Sequence, residues 1–375
     1  MLRELREDRE LARNLCSRIR SLAGSGRFKI MNFCGTHEWT TVHFGLRTLL
    51  PPNVELVAGP GCPVCVTPSY YVEQAIRLAL GGVTVYTYGD SYRLPALKPV
   101  DGCRSLEEAR ASGARVKLVY SFLEASEDAS KLGGEALFFG IGFETLAPIY
   151  SSLLLSGEVP RNLKLMSLVK LTPPAARFAI RYHQERGLLP LDGIIAPGHV
   201  STVIGAKAWE FLPQEFGLPT VVAGFEPLDV LAAILRIVRM RVEGKAGVEI
   251  EYKRAVSWDG NLAAQEKISQ TFEVADSCWR GLGVIPESGL LLREKFKDFD
   301  AFQHFGLDPL PPPENDYPGC RCGEVIVGAA TPADCQLFQR VCTPASPIGP
   351  CMVSAEGPCN IWAKFGGLDV LGRDG

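Results

Sequence analysis

Eight short runs of β-branched, aromatic and aliphatic residues punctuate the chain between positions 28 and 225. Each ends in a glycine- or proline-rich turn that leads into a helical pattern. The runs are FKIMNF (28–33), VELVAG (54–59), VTVYTYG (83–89), VKLVYS (116–121), ALFFGIGF (136–143), LKLMSLVKL (163–171), DGIIAPG (192–198) and PTVVAGF (219–225). Several are apolar throughout rather than alternating, so both faces of the strand must be covered. That is the condition of a parallel sheet packed between helices, and parallel strands in turn need the helical crossovers that the intervening segments supply. The class is α/β. Eight strands exceed one compact sheet, and Gly-Phe-Glu recurs at 142–144 and 224–226, so the expectation is two related parallel-sheet α/β lobes facing a cleft. An eight-stranded barrel is the competitor. Its units are longer than the about 24 residues per unit found here (219 minus 28, over eight).

The first lobe is expected over 27–115 and the second over 116–226. A third, mostly helical or irregular lobe would combine 1–26 with 227–375. In it, Leu11, Leu15, Ile19 and Leu22 stand at helical spacing within 2–22, and a second helix is predicted at about 227–242. Beyond it, a polar segment (243–260) leads into another helical stretch. A proline run at 309–313 then opens an irregular tail whose cysteine-rich part spans 320–359.

With 42 acidic against 39 basic residues the chain carries −3, which offers no footprint for nucleic acid or for an anionic membrane surface. No apolar run reaches the roughly 18 residues needed to span a bilayer, and the opening MLRELREDRE is too charged for a secretion signal, so a cytoplasmic protein is expected. Against that compartment the cysteines stand out: twelve occur, six of them between Cys320 and Cys359. In a reducing environment such crowding points to metal binding or redox chemistry before structural disulfides.

In open parallel sheets, ligands bind in a crevice beyond the carboxyl ends of the strands. The unusual loops of this chain all follow strands: CGTHE (34–38), GPGCPVC (59–65), GFET (142–145), PGHVS (197–201) and GFEP (224–227). They bring Cys34, His37, Cys62, Cys65, Glu144, His199 and Glu226 to candidate loop ends. Cys34 and His37 lie where a strand turns into a helix, so a thiol and an imidazole can face one point. Free amides at the helix start would favour the thiolate, and thiolate plus imidazole suits iron or zinc. Cys62 and Cys65 form a CxxC between strand and helix, the context of a dithiol that cycles to a disulfide; half a metal site and inert packing are the alternatives. Glu144 and Glu226 are candidate bases or ligand-orienting groups, although two copies of the tripeptide equally suggest a structural job, and His199 can donate a hydrogen bond into the crevice. His43, His183 and His304, with Cys16, Cys103 and Cys278, read as packing residues. No P-loop occurs, and Gly140-Ile141-Gly142 lacks the third glycine of a dinucleotide fingerprint.

The tail reads Cys320-x-Cys322-x12-Cys335-x6-Cys342-x8-Cys351-x7-Cys359. It has no histidine at ligand spacing and no paired zinc knuckles. Cysteine-only ligation in a proline-rich loop cage fits an iron–sulfur cluster at least as well as structural zinc, with six thiols offered for four positions.

Taken together, CGTHE, GPGCPVCVTP (59–68), GFETLAP (142–148), PGHVSTVIG (197–205), GFEPLD (224–229) and the CxCG, CTP and EGPC elements of the tail resemble the hydrogenase formation protein HypD family over nearly the whole chain. The resemblance implies a nickel–iron hydrogenase maturation factor, a redox-active assembly scaffold rather than a conventional turnover enzyme. On it the transient Fe(CN)2CO iron is built, with a small HypC-type chaperone, a HypE-type cyanide donor and ultimately the hydrogenase large subunit as partners. It also implies that Cys34 ligates the nascent iron together with a chaperone cysteine, with His37 beside it, and that Cys62 and Cys65 form a redox-active dithiol. Cys322, Cys335, Cys342 and Cys359 would hold a 4Fe-4S cluster, with Cys320 and Cys351 competing for those positions. The alternative function is an iron–sulfur-linked thiol-disulfide oxidoreductase that turns over small disulfides without a partner.

Overall fold

A computed structural model describes residues 8–314 and 317–366. All eight expected runs are strands: β1 (Phe28–Asn32), β2 (Val54–Ala58), β3 (Thr84–Thr87), β4 (Val116–Leu118), β5 (Ala136–Phe143), β6 (Leu163–Lys170), β7 (Gly193–Pro197) and β8 (Thr220–Ala223). They form two sheets, as expected, but not in two consecutive blocks. One sheet has the order β2-β1-β7-β8-β9, where β9 is Val248–Ile250, and every pairing in it is parallel. The other has the order β10-β11-β6-β5-β3-β4, with β10 (Phe272–Trp279) and β11 (Gly283–Leu292) joined as an antiparallel hairpin on its edge.

The strand pairing therefore cuts across the sequential division at 115/116. The chain leaves the first sheet after β2, builds β3 to β6 as the second sheet, then returns to lay β7 against the free side of β1, with Ile30 opposite Gly193. Local pattern specifies a strand but not its neighbour, because pairing is a long-range choice. The third lobe is also less helical than expected, since its stretch contributes β9 to the first sheet and the β10–β11 hairpin to the second. The hairpin's edge position explains its polar texture: Glu273, Val274 and Glu287 face solvent while Phe272, Trp279, Leu290 and Leu292 are buried.

Within the parallel part of each sheet the strand order is the same. Numbered by appearance, both run second, first, third, fourth (β2-β1-β7-β8 and β4-β3-β5-β6), so the two lobes are related by topology. The repeated Gly-Phe-Glu is not a trace of that relation, because it ends the third parallel strand of one lobe (β5) and the fourth of the other (β8). In such an order the connections leave the first and third strands in opposite directions, which opens a crevice between their carboxyl ends. The chain has two of these crevices, one between β1 and β7 and one between β3 and β5.

The sheets are covered as apolar strands require. Helix α1 (Arg9–Ala23), with Asp8 Oδ1 accepting from Leu11 N (2.9 Å), packs with α2 (Pro227–Val242) over one face of the first sheet, burying Leu15, Cys16 and Ile19 against Ile30, Leu56 and Val221. Leu11 itself is largely exposed, and the first residues of the expected 2–22 helix lie outside the described residues. A second core of Phe138, Tyr150, Leu165 and Phe272 covers the outer face of the other sheet. The largest core runs through the middle of the molecule and takes in Met31, Phe139, Cys62, Cys65 and tail residues from Cys322 to Trp362. The proline-rich linker ends at Glu314, whose carboxylate accepts from Ser69 N (2.8 Å) and Tyr70 N (2.7 Å) at the start of the helix Ser69–Leu80.

Candidate metal centre between the strand ends

Cys34 caps the helix Gly35–His43 immediately after β1, and His199 lies at the start of the helix Gly198–Ile204 immediately after β7. They meet across the first crevice, with Cys34 Sγ 3.8 Å from His199 Nδ1. The expected partner, His37, is elsewhere: its Nε2 donates to Gly224 O (2.9 Å) and its ring stacks on Phe225 at 5.0 Å. A residue three positions into a helix turns away from its cap, so the imidazole beside the thiol comes from the other side of the strand reversal. Phe225 also faces His199 at 5.4 Å, and the GFEP loop thereby walls the pair.

The thiol is not activated in the way the helix start suggests. Cys34 is only 2% exposed, and burial pushes its thiol up to about 12, with Glu356 nearby adding to the rise. The amides of Thr36 and His37 do pull the other way, but a dry site outweighs them. Burial likewise lowers His199 below the usual histidine range and takes His37 to about 4. Both shifts favour the uncharged forms, a thiol facing an imidazole, and that donor pair suits a soft metal.

The Cys62–Cys65 pair is a disulfide with both residues buried. Its loop is in backbone contact with the Cys34 loop: Gly35 N donates to Gly61 O (3.2 Å), and a Cβ on Gly61 would stand 2.6 Å from Cys34 N, so only glycine allows this approach. On the far side Arg280 N donates to Val66 O (2.8 Å), which fixes the loop to the β10–β11 hairpin.

The two Gly-Phe-Glu glutamates stand differently. Glu226 caps α2 in a capping box with Asp229, whose carboxylate accepts from Glu226 N (3.2 Å). Asp229 is also paired with Arg254. Glu144 is buried at the second crevice. Its Oε1 accepts from Thr172 N (2.6 Å) and Thr172 Oγ1 (3.0 Å), while Oε2 has no hydrogen-bond partner among the described residues. Burial raises this carboxyl to about 7, and His199 is close enough to oppose the rise.

All six tail cysteines gather in one region. Cys320 Sγ is 3.3 Å from Cys322 Sγ; Cys335 lies against Cys320, and Cys322, Cys351 and Cys359 are in mutual contact. Cys342 Sγ accepts from Ile348 N (3.3 Å) with Cys322 and Cys335 nearby. Among the described residues, no three His, Cys, Asp or Glu side chains are arranged to hold a metal ion. The donor chemistry is sulfur only, and its thiols are largely buried.

Two residues at the centre were not anticipated. Glu356 lies against the Cys34 loop, since a Cβ on Gly35 would come within 2.5 Å of Glu356 Cβ, and Asp90, in the short helix Gly89–Tyr92 after β3, binds the segment that carries Glu356. The strand-end rule that singled out the other loops also points at Asp90. Glu356 offers no signal of its own beyond its place in the EGPC element.

Residues 10–366 match a family model, HypD, described as the hydrogenase formation hypA family. The chain is 42% identical over 367 residues to a hydrogenase maturation factor HypD of Cupriavidus necator, covering 96% of this chain and 95% of that one. It is 43% identical over 367 residues to one of Azotobacter vinelandii, again with 96% and 95% covered. The corresponding factor of Escherichia coli is 39% identical over 348 residues, 90% of this chain and 89% of its own.

Proposed function

The chain belongs to the HypD hydrogenase formation family and acts in hydrogenase maturation, and from this premise we propose that it is the scaffold on which the Fe(CN)2CO moiety is assembled, with Cys34 as the anchor. The observation that carries the reading is the Cys34–His199 pair, 3.8 Å apart at the reversal of strand order and beside a disulfide loop. Iron bearing cyanide and carbon monoxide is soft and low-spin, and a lone thiolate holds it while leaving its remaining positions for other ligands. His199 Nδ1 is the acceptor within reach of the proton that Cys34 gives up on binding iron. His37 acts from behind, pinning the GFEP loop through Gly224.

The Cys62–Cys65 disulfide takes two electrons and two protons to become a dithiol, next to the anchor. The tail thiols fit a 4Fe-4S cluster by donor type and number: Cys322, Cys335, Cys342 and Cys359 would hold it, and Cys320 and Cys351 stand in the same group as the residues to test against them. Such a cluster supplies one electron at a time. A small HypC-type chaperone bringing a second cysteine, a HypE-type cyanide donor and the hydrogenase large subunit are the partners this reading requires, in the cytoplasm. Among the described residues no helix is long and apolar enough to cross a membrane.

Infrared spectra of the anaerobically purified protein with its small partner test the proposal. Metal-bound cyanide and carbonyl stretches are expected, and Cys34→Ala should remove them along with the bound iron while leaving the broad cluster absorption near roughly 400 nm intact. Loss of both signals, or of neither, refutes the division of labour. Rapid reduction of small disulfides by the isolated chain would favour the oxidoreductase instead.

A further inference from the structure

Cys34 is closed off by a segment whose two ends are tail cysteines. Between Cys351 and Cys359 the chain runs Met-Val-Ser-Ala-Glu-Gly-Pro, and Glu356 in its middle lies on Gly35, the residue after the anchor, at a distance that leaves no room for a Cβ. What holds it there comes from the other lobe. Asp90 Oδ2 accepts from Ser354 Oγ (2.9 Å) and from Ala355 N (2.9 Å), and Ser354 Oγ accepts in turn from Glu356 N (3.2 Å). Below this point the segment is folded on itself, with Gly357 N donating to Ser354 O (3.0 Å) and Asn360 Nδ2 to Met352 O (2.7 Å). Ala355 is exposed and Glu356, like Phe225 and His199, is half-buried, so this stretch is one of the partly exposed sides of the pocket, while the Gly61 loop is a buried wall.

The geometry points to Asp90 as a positioning residue: by tying Ser354 and Ala355 it keeps the 352–358 segment over the first crevice as a strap, with Glu356 against the Cys34 loop, and so governs access to the Cys34 thiol. The inference deepens the reading of Cys34 as an anchor, because an iron carrying three diatomic ligands cannot reach a thiol that is 2% exposed unless a wall of its pocket moves, and the strap is the wall tied from the other lobe. Asp90 sits at the crevice of one lobe and Cys34 at that of the other, so the latch also requires the two lobes to keep their spacing. Both hydrogen bonds end on a single oxygen, so removing that carboxylate loses both together. Residues Cys351 and Cys359 fix where the strap starts and stops, so a change in the tail thiols is transmitted to the anchor through about seven residues of chain at most a strand's length.

Alkylation of the full chain by iodoacetamide, read cysteine by cysteine through peptide mass spectrometry, measures access with no iron present, so its failure is distinct from failure of the iron reading. Asp90→Ala should speed modification of Cys34 by about tenfold or more, while Cys16 and Cys278, buried on α1 and β10, keep their rates. Asp90→Asn retains an oxygen that can accept both bonds and should restore slow labelling. Ser354→Ala, which removes one of the two bonds, should fall between. An unchanged Cys34 rate in Asp90→Ala overturns the proposal. A rise shared equally by Cys16 and Cys278 means global loosening in that variant and passes the decision to Ser354→Ala, where a selective rise at Cys34 upholds the latch and anything else refutes it.

Discussion

Lys170, the last residue of β6, is fully enclosed beneath the Glu144 loop, paired in register with Phe143. Its ammonium group meets Ser277 Oγ (2.8 Å), Cys278 O (2.6 Å) and the face of Trp279 (5.2 Å from the ring centre), and among the described residues no carboxylate pairs with it. Burial accordingly lowers the amine from 10.5 to about 7. A lysine so shifted binds fewer protons folded than unfolded between about pH 7 and 10.5, so the protein gains stability as pH rises through that window and bears the whole desolvation cost below it. The fall from 10.5 to about 7 sets that cost at about 5 kcal/mol, of which about half is relieved between about pH 6 and pH 9. Lys170→Met removes the titrating group but also two hydrogen bonds worth about 1 kcal/mol each. The variant should therefore be more stable than the parent by about 3 kcal/mol near pH 6 and about equal to it near pH 9. Urea unfolding followed by circular dichroism at both pH values decides the matter. The hydrogen-bond terms are independent of pH, so the change in the difference isolates the buried charge. A difference that stays flat from pH 6 to pH 9 would falsify the account of Lys170 as a desolvated cation.

Glu226→Ala should cost about 1 kcal/mol, read as a lowered melting temperature, and leave iron retention at Cys34 unaffected, because the side chain caps α2. Without reductant, Cys62 and Cys65 should resist alkylation even in denaturant and become labelled after reduction; replacing both with serine should lower stability by about 2 kcal/mol, the entropy of so short a closed loop.

How far the sequence could be read depended on the range of the interaction. The eight strands and the helix Pro227–Val242 were legible because apolar runs and helical periodicity are local properties. Their assignment to sheets was not, since nothing near β7 reveals that it pairs with β1 across more than 130 intervening residues. The β10–β11 hairpin escaped because an edge ribbon buries only part of its surface, and its glutamates and serines hide the alternation. At the centre, Cys34, His199 and the CxxC announced themselves by residue type at strand ends. The identity of the thiol's partner did not: His37 is nearest along the chain, but the helical twist aims it at Gly224. The acidity of Cys34 was misjudged for a related reason, because amide dipoles are visible from the sequence while the depth of burial is a property of the finished fold. Asp90 and Glu356 matter through contacts 264 to 321 positions away, which no spacing rule reaches.

The interleaving of the lobes has a consequence for biosynthesis. A nascent chain emerging from the ribosome exposes β1 and β2 long before β7, and at about 5 to 20 residues per second the wait is about 7 to 27 s. During that time the anchor cysteine hangs from an unfinished sheet, while the intervening lobe already has its four parallel strands. The thiol acquires its imidazole only when the first lobe closes, and its cover only when residues 352–358 have emerged. A protein made in this order completes the pocket around Cys34 only after both sheets have formed.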